Sequence, residues 1–146
     1  MTILWRISNY ADLSGRGGLV APGRWHDLGI PVVYCCDHPS TALLETLVQV
    51  SLEQIPETFQ LLRISSPDDL PIVDIDIDQG DFDDINRTRS KGSQLLRSGE
   101  ACLIRVPSAI MPPAANILIN PQHPRAGEIR IEESKSYPFD SRLLQL

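Results

Sequence analysis

Residues 30–54 read IPVVYCCDHPSTALLETLVQVSLEQ, and this stretch decides the fold class. Its first seven residues, Ile30–Cys36, form a short apolar run rich in β-branched side chains, which predicts a buried strand. Asp37 or Ser40 is placed to cap a helix, with Pro39 near its first turn. The pattern then predicts a helix from about Thr41 to Gln54, ending before Pro56. At about 100° per residue, Leu43, Leu44, Leu47, Val48, Val50 and Ile55 share one broad arc, with Glu45 at its edge. A carboxylate at the margin of a buried face is either a partnered or solvated structural group, or a site residue.

Outward from that stretch the chain reads as many short elements. Strands are expected at Ile3–Ile7, Phe59–Ile64, Ile72–Ile77, Ala101–Val106, Ile117–Ile119 and Glu128–Glu132. A glycine-rich break, Ser14-Gly15-Arg16-Gly17-Gly18, leads to Pro22-Gly23-Arg24-Trp25. Residues Gly80–Ser98 are polar and are expected to form a short helix and a mobile loop. Twelve prolines punctuate the chain and favour short elements over long helices. Strands and helices do not alternate strictly, so an α+β fold is expected rather than a doubly wound parallel sheet. With 146 residues, one domain spanning 1–146 is expected, with short strands and few helices.

Composition excludes several classes. Hydrophobic residues are 42% and charged residues 22%, as in an ordinary globular domain rather than a coiled coil or disordered chain. No apolar run approaches the roughly 20 residues of a membrane-spanning helix. The N-terminus MTILWRISNY lacks the layout of a secretory signal, so a cytoplasmic protein is expected. Thirteen basic against nineteen acidic residues give a net charge of −6, which disfavours direct nucleic-acid binding. Among the basic residues only Lys91 and Lys135 are lysines, and arginine suits bidentate binding of phosphate or carboxylate.

Familiar motifs do not account for a function. The run Asp74-Ile75-Asp76-Ile77-Asp78-Gln79-Gly80-Asp81 invites a calcium reading, but its sixth position is Gln79 and its twelfth is Ile85, which breaks the register. No C-x-x-C is present, and His26, His38 and His123 are not spaced as metal ligands on a helix, so no metal site is expected. Cys35, Cys36 and Cys102 are odd in number and include an adjacent pair, which fits a reducing compartment rather than a disulfide framework. Cys35 beside His38 reads better as a buried thiol than as a nucleophile. GRGGLVAPGR has glycines but no following helix pattern, and is weak evidence for phosphate binding by backbone alone.

One ordered set of residues is more specific. It runs Trp5-Arg6, Gly23-Arg24-Trp25, Gly29-Ile30-Pro31-Val32-Val33-Tyr34, Ala42-Leu43-Leu44-Glu45, Val106-Pro107-Ser108, and Leu118-Ile119-Asn120-Pro121 with His123. It closes with Phe139-Asp140-Ser141-Arg142-Leu143. In this order, over nearly the whole chain, the set resembles the RES domain, the toxin half of bacterial RES–Xre toxin–antitoxin pairs. The signature Arg, Glu and Ser of that family map to Arg6, Glu45 and Ser108. The resemblance implies a compact fold similar to the core of ADP-ribosylating toxins and NAD⁺ as substrate. The outcome it implies is NAD⁺ degradation by hydrolysis or phosphorolysis, or ADP-ribosylation of a protein, and growth arrest. It also implies an Xre-type antitoxin that covers the active site and supplies any DNA contact, in a hetero-oligomer built on a toxin dimer. Two departures, His26 after Gly-Arg-Trp and Pro22 before Gly23, leave the shape of that loop open.

Chemistry independently suits these residue types. Cleaving nicotinamide from ribose passes through an oxocarbenium-like state, which a fixed carboxylate such as Glu45 stabilises. Arg6 and Arg24 are expected to clamp the pyrophosphate, Tyr34 to stack on nicotinamide, and Ser108 to orient the carboxamide or ribose. Trp25 and Asn120 complete the expected substrate-binding set, Trp25 reading more readily as packing and Asn120, with His123, as shaping a turn beside the pocket. Arg6 has a second reading as the ion-pair partner of Asp140. A degenerate fold that binds a partner without turnover is the alternative to an enzyme.

Overall fold

The computed structural model describes residues 1–145, and it is α+β: a seven-stranded mixed sheet with helices packed around it. The strands are β1 (Thr2–Ile7), β2 (Val33–Cys36), β3 (Thr58–Ser66), β4 (Ile72–Asp74), β5 (Leu103–Pro107), β6 (Ala115–Ile119) and β7 (Arg130–Pro138). The helices are α1 (Gly17–Val20), α2 (Pro39–Leu47), α3 (Gln79–Phe82) and α4 (Ile85–Ser98). Strand order is β4-β5-β6-β2-β1-β3-β7. Every neighbouring pair is antiparallel except β4 with β5.

Alternation along the central strands fills both faces of the sheet. Leu103, Ile117 and Ile119 join Leu4, Val33, Leu62 and Ile64 in one buried cluster. Their sequence neighbours Ile104, Val106 and Leu118 point the other way and pack with Trp25, Val32 and Leu96. This two-sided burial explains why β5 and β6 read as continuous apolar runs. Each fully buried Leu or Ile contributes about 1.5–3 kcal/mol.

The structure corrects several sequence expectations. The decisive helix is shorter: α2 ends at Leu47, and a separate 3₁₀ turn occupies Leu52–Gln54. Its cap is neither Asp37 nor Ser40. His38 Nδ1 accepts the Ser40 N–H at 3.1 Å, while Asp37 accepts the Ala115 N–H from β6. Nor does α2 bury the predicted apolar arc; Thr41 and Ala42 are buried, whereas Leu44 and Val48 are exposed. Small side chains let the helix sit close against the sheet, and this rotation turns Glu45 inward. Residues 80–98 are almost wholly helical, because Asp78 caps α3, Asp84 caps α4, and Gly99 ends α4 at φ 70°. The 72–77 strand stops at Asp74, and the expected Glu128–Glu132 strand instead begins at Arg130 and runs nine residues.

Candidate active site

Although β1 and β2 are neighbours, they meet through a single pair, Trp5 opposite Cys36. Beside it Arg6 Nη1 donates to the Tyr34 main-chain carbonyl at 2.8 Å, so a side chain bridges where a strand ladder would otherwise run. Here a cavity of about 440 Å³ opens, and Arg6, Arg24, Tyr34, Cys36, Glu45 and Asn116 are among its walls.

Glu45 projects from the middle of α2. The Ser108 hydroxyl donates to Glu45 Oε1 at 2.8 Å, and Asn116 Nδ2 donates to the same oxygen at 3.1 Å. Each donor is itself fixed: Ser108 Oγ accepts the Met111 N–H, and Asn116 Oδ1 accepts the Cys36 thiol. Among the described residues Oε2 makes no hydrogen bond. One oxygen is therefore anchored while the other is open to act on a ligand, as a preorganised electrostatic group requires.

The two arginines have no carboxylate partner among the described residues. Arg24 Nη2 donates to the Phe82 carbonyl at 2.6 Å, and its guanidinium lies 4.6 Å from the Phe82 ring centroid. The Nε of each arginine is buried without a partner. Two cations facing one carboxylate leave the cavity with an excess of positive charge, although the chain as a whole is acidic. That combination suits an anionic ligand.

His26 organises the loop that carries Arg24. Its Nε2 lies 2.9 Å from the Ala21 carbonyl, and since a carbonyl only accepts, that nitrogen carries the proton. Nδ1 then accepts from the Tyr34 hydroxyl at 2.7 Å, and that hydroxyl accepts the Trp25 N–H at 3.1 Å. Burial pushes the His26 pKa below its ordinary value and the Tyr34 phenol up to about 12. Both groups are therefore neutral near pH 7. Gly23 is required beside them, because a Cβ there would crowd both the Tyr34 hydroxyl and the His26 ring.

Helix α4 braces the same loop from behind. Thr88 Oγ1 donates to the Arg24 carbonyl at 2.6 Å and Arg89 Nε to the Gly23 carbonyl at 2.7 Å. Ser93 Oγ accepts the Asp27 N–H at 2.9 Å. A Cβ on Gly92 would collide with the Trp25 carbonyl. These residues are absent from the sequence-based set. Their signal was the spacing Thr88, Gly92, Leu96, which is one face of a helix, hidden in a segment too polar to suggest burial.

The predicted residues thus separate into groups. Arg6, Arg24, Tyr34 and Glu45 line the cavity together. Trp25 contributes to the wall, but it is 1% exposed and its ring packs in the core, 6.1 Å from that of Phe82. Ser108 is 0% exposed and its hydroxyl is engaged by Glu45 and Met111, so it acts through Glu45 rather than by the expected substrate contact. Asn120 lies outside the cavity wall; its amide donates to the Leu96 carbonyl and its oxygen accepts the Gln122 N–H, in a turn that also involves His123. Asp140 pairs with Arg142 at 2.6 Å and leaves Arg6 alone. Asn116, which holds Glu45, was missed because its strand reads as a plain apolar run.

The thiols are poor nucleophiles. Burial pushes Cys35 and Cys36 up to about 12 and Cys102 up to about 11. Among the described residues no cluster of His, Cys, Asp and Glu is arranged to hold a metal ion. Asp74 of the acidic run pairs with Arg105, Asp78 caps α3, and Asp81 faces Arg87 and Lys91.

Comparison with known proteins adds a second line of observation. Residues 3–140 match the RES domain. A Pseudomonas putida protein named Toxin Res is 46% identical over 144 residues, spanning 97% of this chain and 99% of that protein. A Sphingobium protein named Prs ADP-ribosylating toxin is 33% identical over 157 residues, spanning 99% and 98%. Among solved structures, the M. tuberculosis MbcT–MbcA toxin–antitoxin complex contains a chain of the same fold, with TM-score 0.70 and 20% identity over 98% of this chain and 86% of that one.

Proposed function

This chain belongs to the RES domain family of toxins, and from that premise we propose that it consumes NAD⁺ by breaking the nicotinamide–ribose bond. The observation that supports this most is Glu45, anchored through one oxygen by Ser108 and Asn116, in a cavity shared with Arg6 and Arg24.

The chemistry follows from charge. Arg6 and Arg24 hold the pyrophosphate of NAD⁺, and the Tyr34 ring forms the wall against nicotinamide. The C1′–N bond breaks with its electron pair going to the nicotinamide nitrogen, which leaves as a neutral ring, so no proton need be supplied. Positive charge appears on the ribose, and the open oxygen of Glu45 stabilises it. The acceptor then adds a lone pair to C1′ and loses a proton. Water as acceptor yields ADP-ribose; inorganic phosphate yields its phosphorylated counterpart.

A protein acceptor is the second reading, favoured by the 33% identical relative whose name describes ADP-ribosylation. Restraint of the toxin falls to an antitoxin of Xre type, as the MbcT–MbcA assembly suggests for a chain of this fold. That partner covers the cavity and carries any DNA contact, consistent with the acidic charge of this chain. Among the described residues no helix is long and apolar enough to cross a membrane, and the proposed site of action is the cytoplasmic NAD⁺ pool.

The test is NAD⁺ turnover by the purified chain, with water alone, with phosphate and with cell extract, products resolved by mass spectrometry. Release of nicotinamide that is lost in Glu45→Gln supports the reading. A folded protein that releases none under all three conditions overturns it and favours a binding module.

A further inference from the structure

The two edges of the sheet are unlike. At one end β4 has three residues, and its Asp74 is tied to Arg105 of β5. At the other end β7 has nine, Arg130–Pro138, and all but Ile131 are exposed. A long uncovered edge presents a row of unpaired main-chain groups, which proteins ordinarily shorten or cover. The parity of that row follows from the Phe139 N–H, which donates inward to the Glu57 carbonyl beside β3. Tyr137 and Lys135 share that inward direction, so the main-chain groups of Ser134 and Ser136 point outward. Pro138, which has no N–H to offer, also falls on the outward side, where it is tolerated.

We infer that β7 pairs antiparallel with β7 of a second copy of this chain, about a two-fold axis through Ser134. The side chains select this register. With the axis at Ser134, the strand's midpoint, all nine residues overlap. Glu133 then faces Lys135 of the second copy, Lys135 faces its Glu133, and Ile131 and Tyr137 face each other twice. Shifting the axis to Glu132 or Glu133 places two glutamates directly opposite, and shifting it to Lys135 places two lysines opposite. Opposite charges across a strand pair stabilise it and like charges oppose it. The charges on this edge therefore disfavour neighbouring registers while permitting one. Within one copy Lys135 already lies 3.0 Å from Glu133, so the axis gathers two ion pairs into a network of four charges. The result is an isologous dimer with a continuous fourteen-stranded sheet.

Sedimentation equilibrium on the purified full chain tests this. The wild type is expected at twice its 16.2 kDa mass. Glu133→Lys alone and Lys135→Glu alone each place four like charges about the axis and are expected to sediment as monomers. The double exchange, Glu133→Lys with Lys135→Glu, restores opposite charges and is expected to restore the dimer. Far-UV circular dichroism of each variant confirms that the sheet is intact. A wild type that stays monomeric at high micromolar concentration overturns the inference, as does a dimer indifferent to both single reversals or a double exchange that fails to reassemble.

Discussion

Ser108 and Glu45 lie 63 positions apart in the chain, and the hydroxyl of one is 2.8 Å from a carboxylate oxygen of the other. Ser108 is wholly buried at the end of β5, while Glu45 faces the cavity. The serine is thus a positioning residue for the carboxylate. Asn116, on β6, holds the same oxygen from a second direction.

Glu45→Gln keeps an oxygen for both donors but removes the charge. Turnover of NAD⁺ is expected to fall about 10²–10³-fold, as for loss of one preorganised electrostatic group. Binding of NAD⁺, read by calorimetry, should change far less. Equal losses in binding and turnover would remove Glu45 from the chemical step.

Ser108→Ala frees Glu45 Oε1 from one of two donors and leaves the Met111 N–H without its acceptor. A fall of roughly tenfold in kcat is expected, equivalent to about 1.4 kcal/mol. The effect should be concentrated in kcat rather than KM, because the hydroxyl does not reach the cavity. A raised KM with unchanged kcat would restore a direct substrate contact.

Gly92→Ala forces a methyl group against the Trp25 carbonyl. Overpacking of this kind costs about 1–3 kcal/mol and shifts the loop bearing Arg24. Both the melting temperature and NAD⁺ affinity should drop. Gly127→Ala, where a Cβ meets nothing within 4 Å, is the control and should change neither.

Stability should weaken in mild acid through His26. Its folded pKa lies below the unfolded value, chiefly through burial. The unfolded chain therefore binds the proton more readily. The contribution of neutral His26 is complete above the unfolded pKa of about 6.5 and is lost as pH falls through the lower folded value. Melting curves between neutral pH and pH 5 should show this slope, and His26→Asn should flatten it. An unchanged slope would assign the acid sensitivity to other groups.

The thiols should resist alkylation. With Cys35 and Cys36 pushed up to about 12 and Cys102 up to about 11, iodoacetamide at pH 8 should leave the native chain unmodified and label it only after denaturation. Rapid native labelling of Cys36, which lines the cavity, would mean that the site opens.

Local chemistry made much of this legible beforehand. The α+β class followed from short β-branched runs broken by proline, and Ile30–Cys36 does contain a central strand. Arg6, Arg24, Tyr34 and Glu45 were picked out in advance, largely through the family resemblance, and they meet in one cavity. Less visible were the bracing residues of α4. Thr88, Gly92 and Ser93 sit in a polar segment, and nothing local announces that its small side chains are buried under a loop some 60 residues away in sequence.

Sequence alone determined which side chains exist to do chemistry and which runs must be strands, because apolar periodicity and proline placement act over a few residues. Tertiary structure decided which face of α2 is buried, and so whether Glu45 looks inward. It turned out the apolar arc in favour of Thr41 and Ala42, since close approach of helix to sheet depends on small side chains rather than on hydrophobicity summed along the helix. It also decided that Ser108 serves Glu45 and that Asn120 serves a turn. Those assignments depend on which strands become neighbours, and pairing between segments distant in sequence is a property of the whole chain.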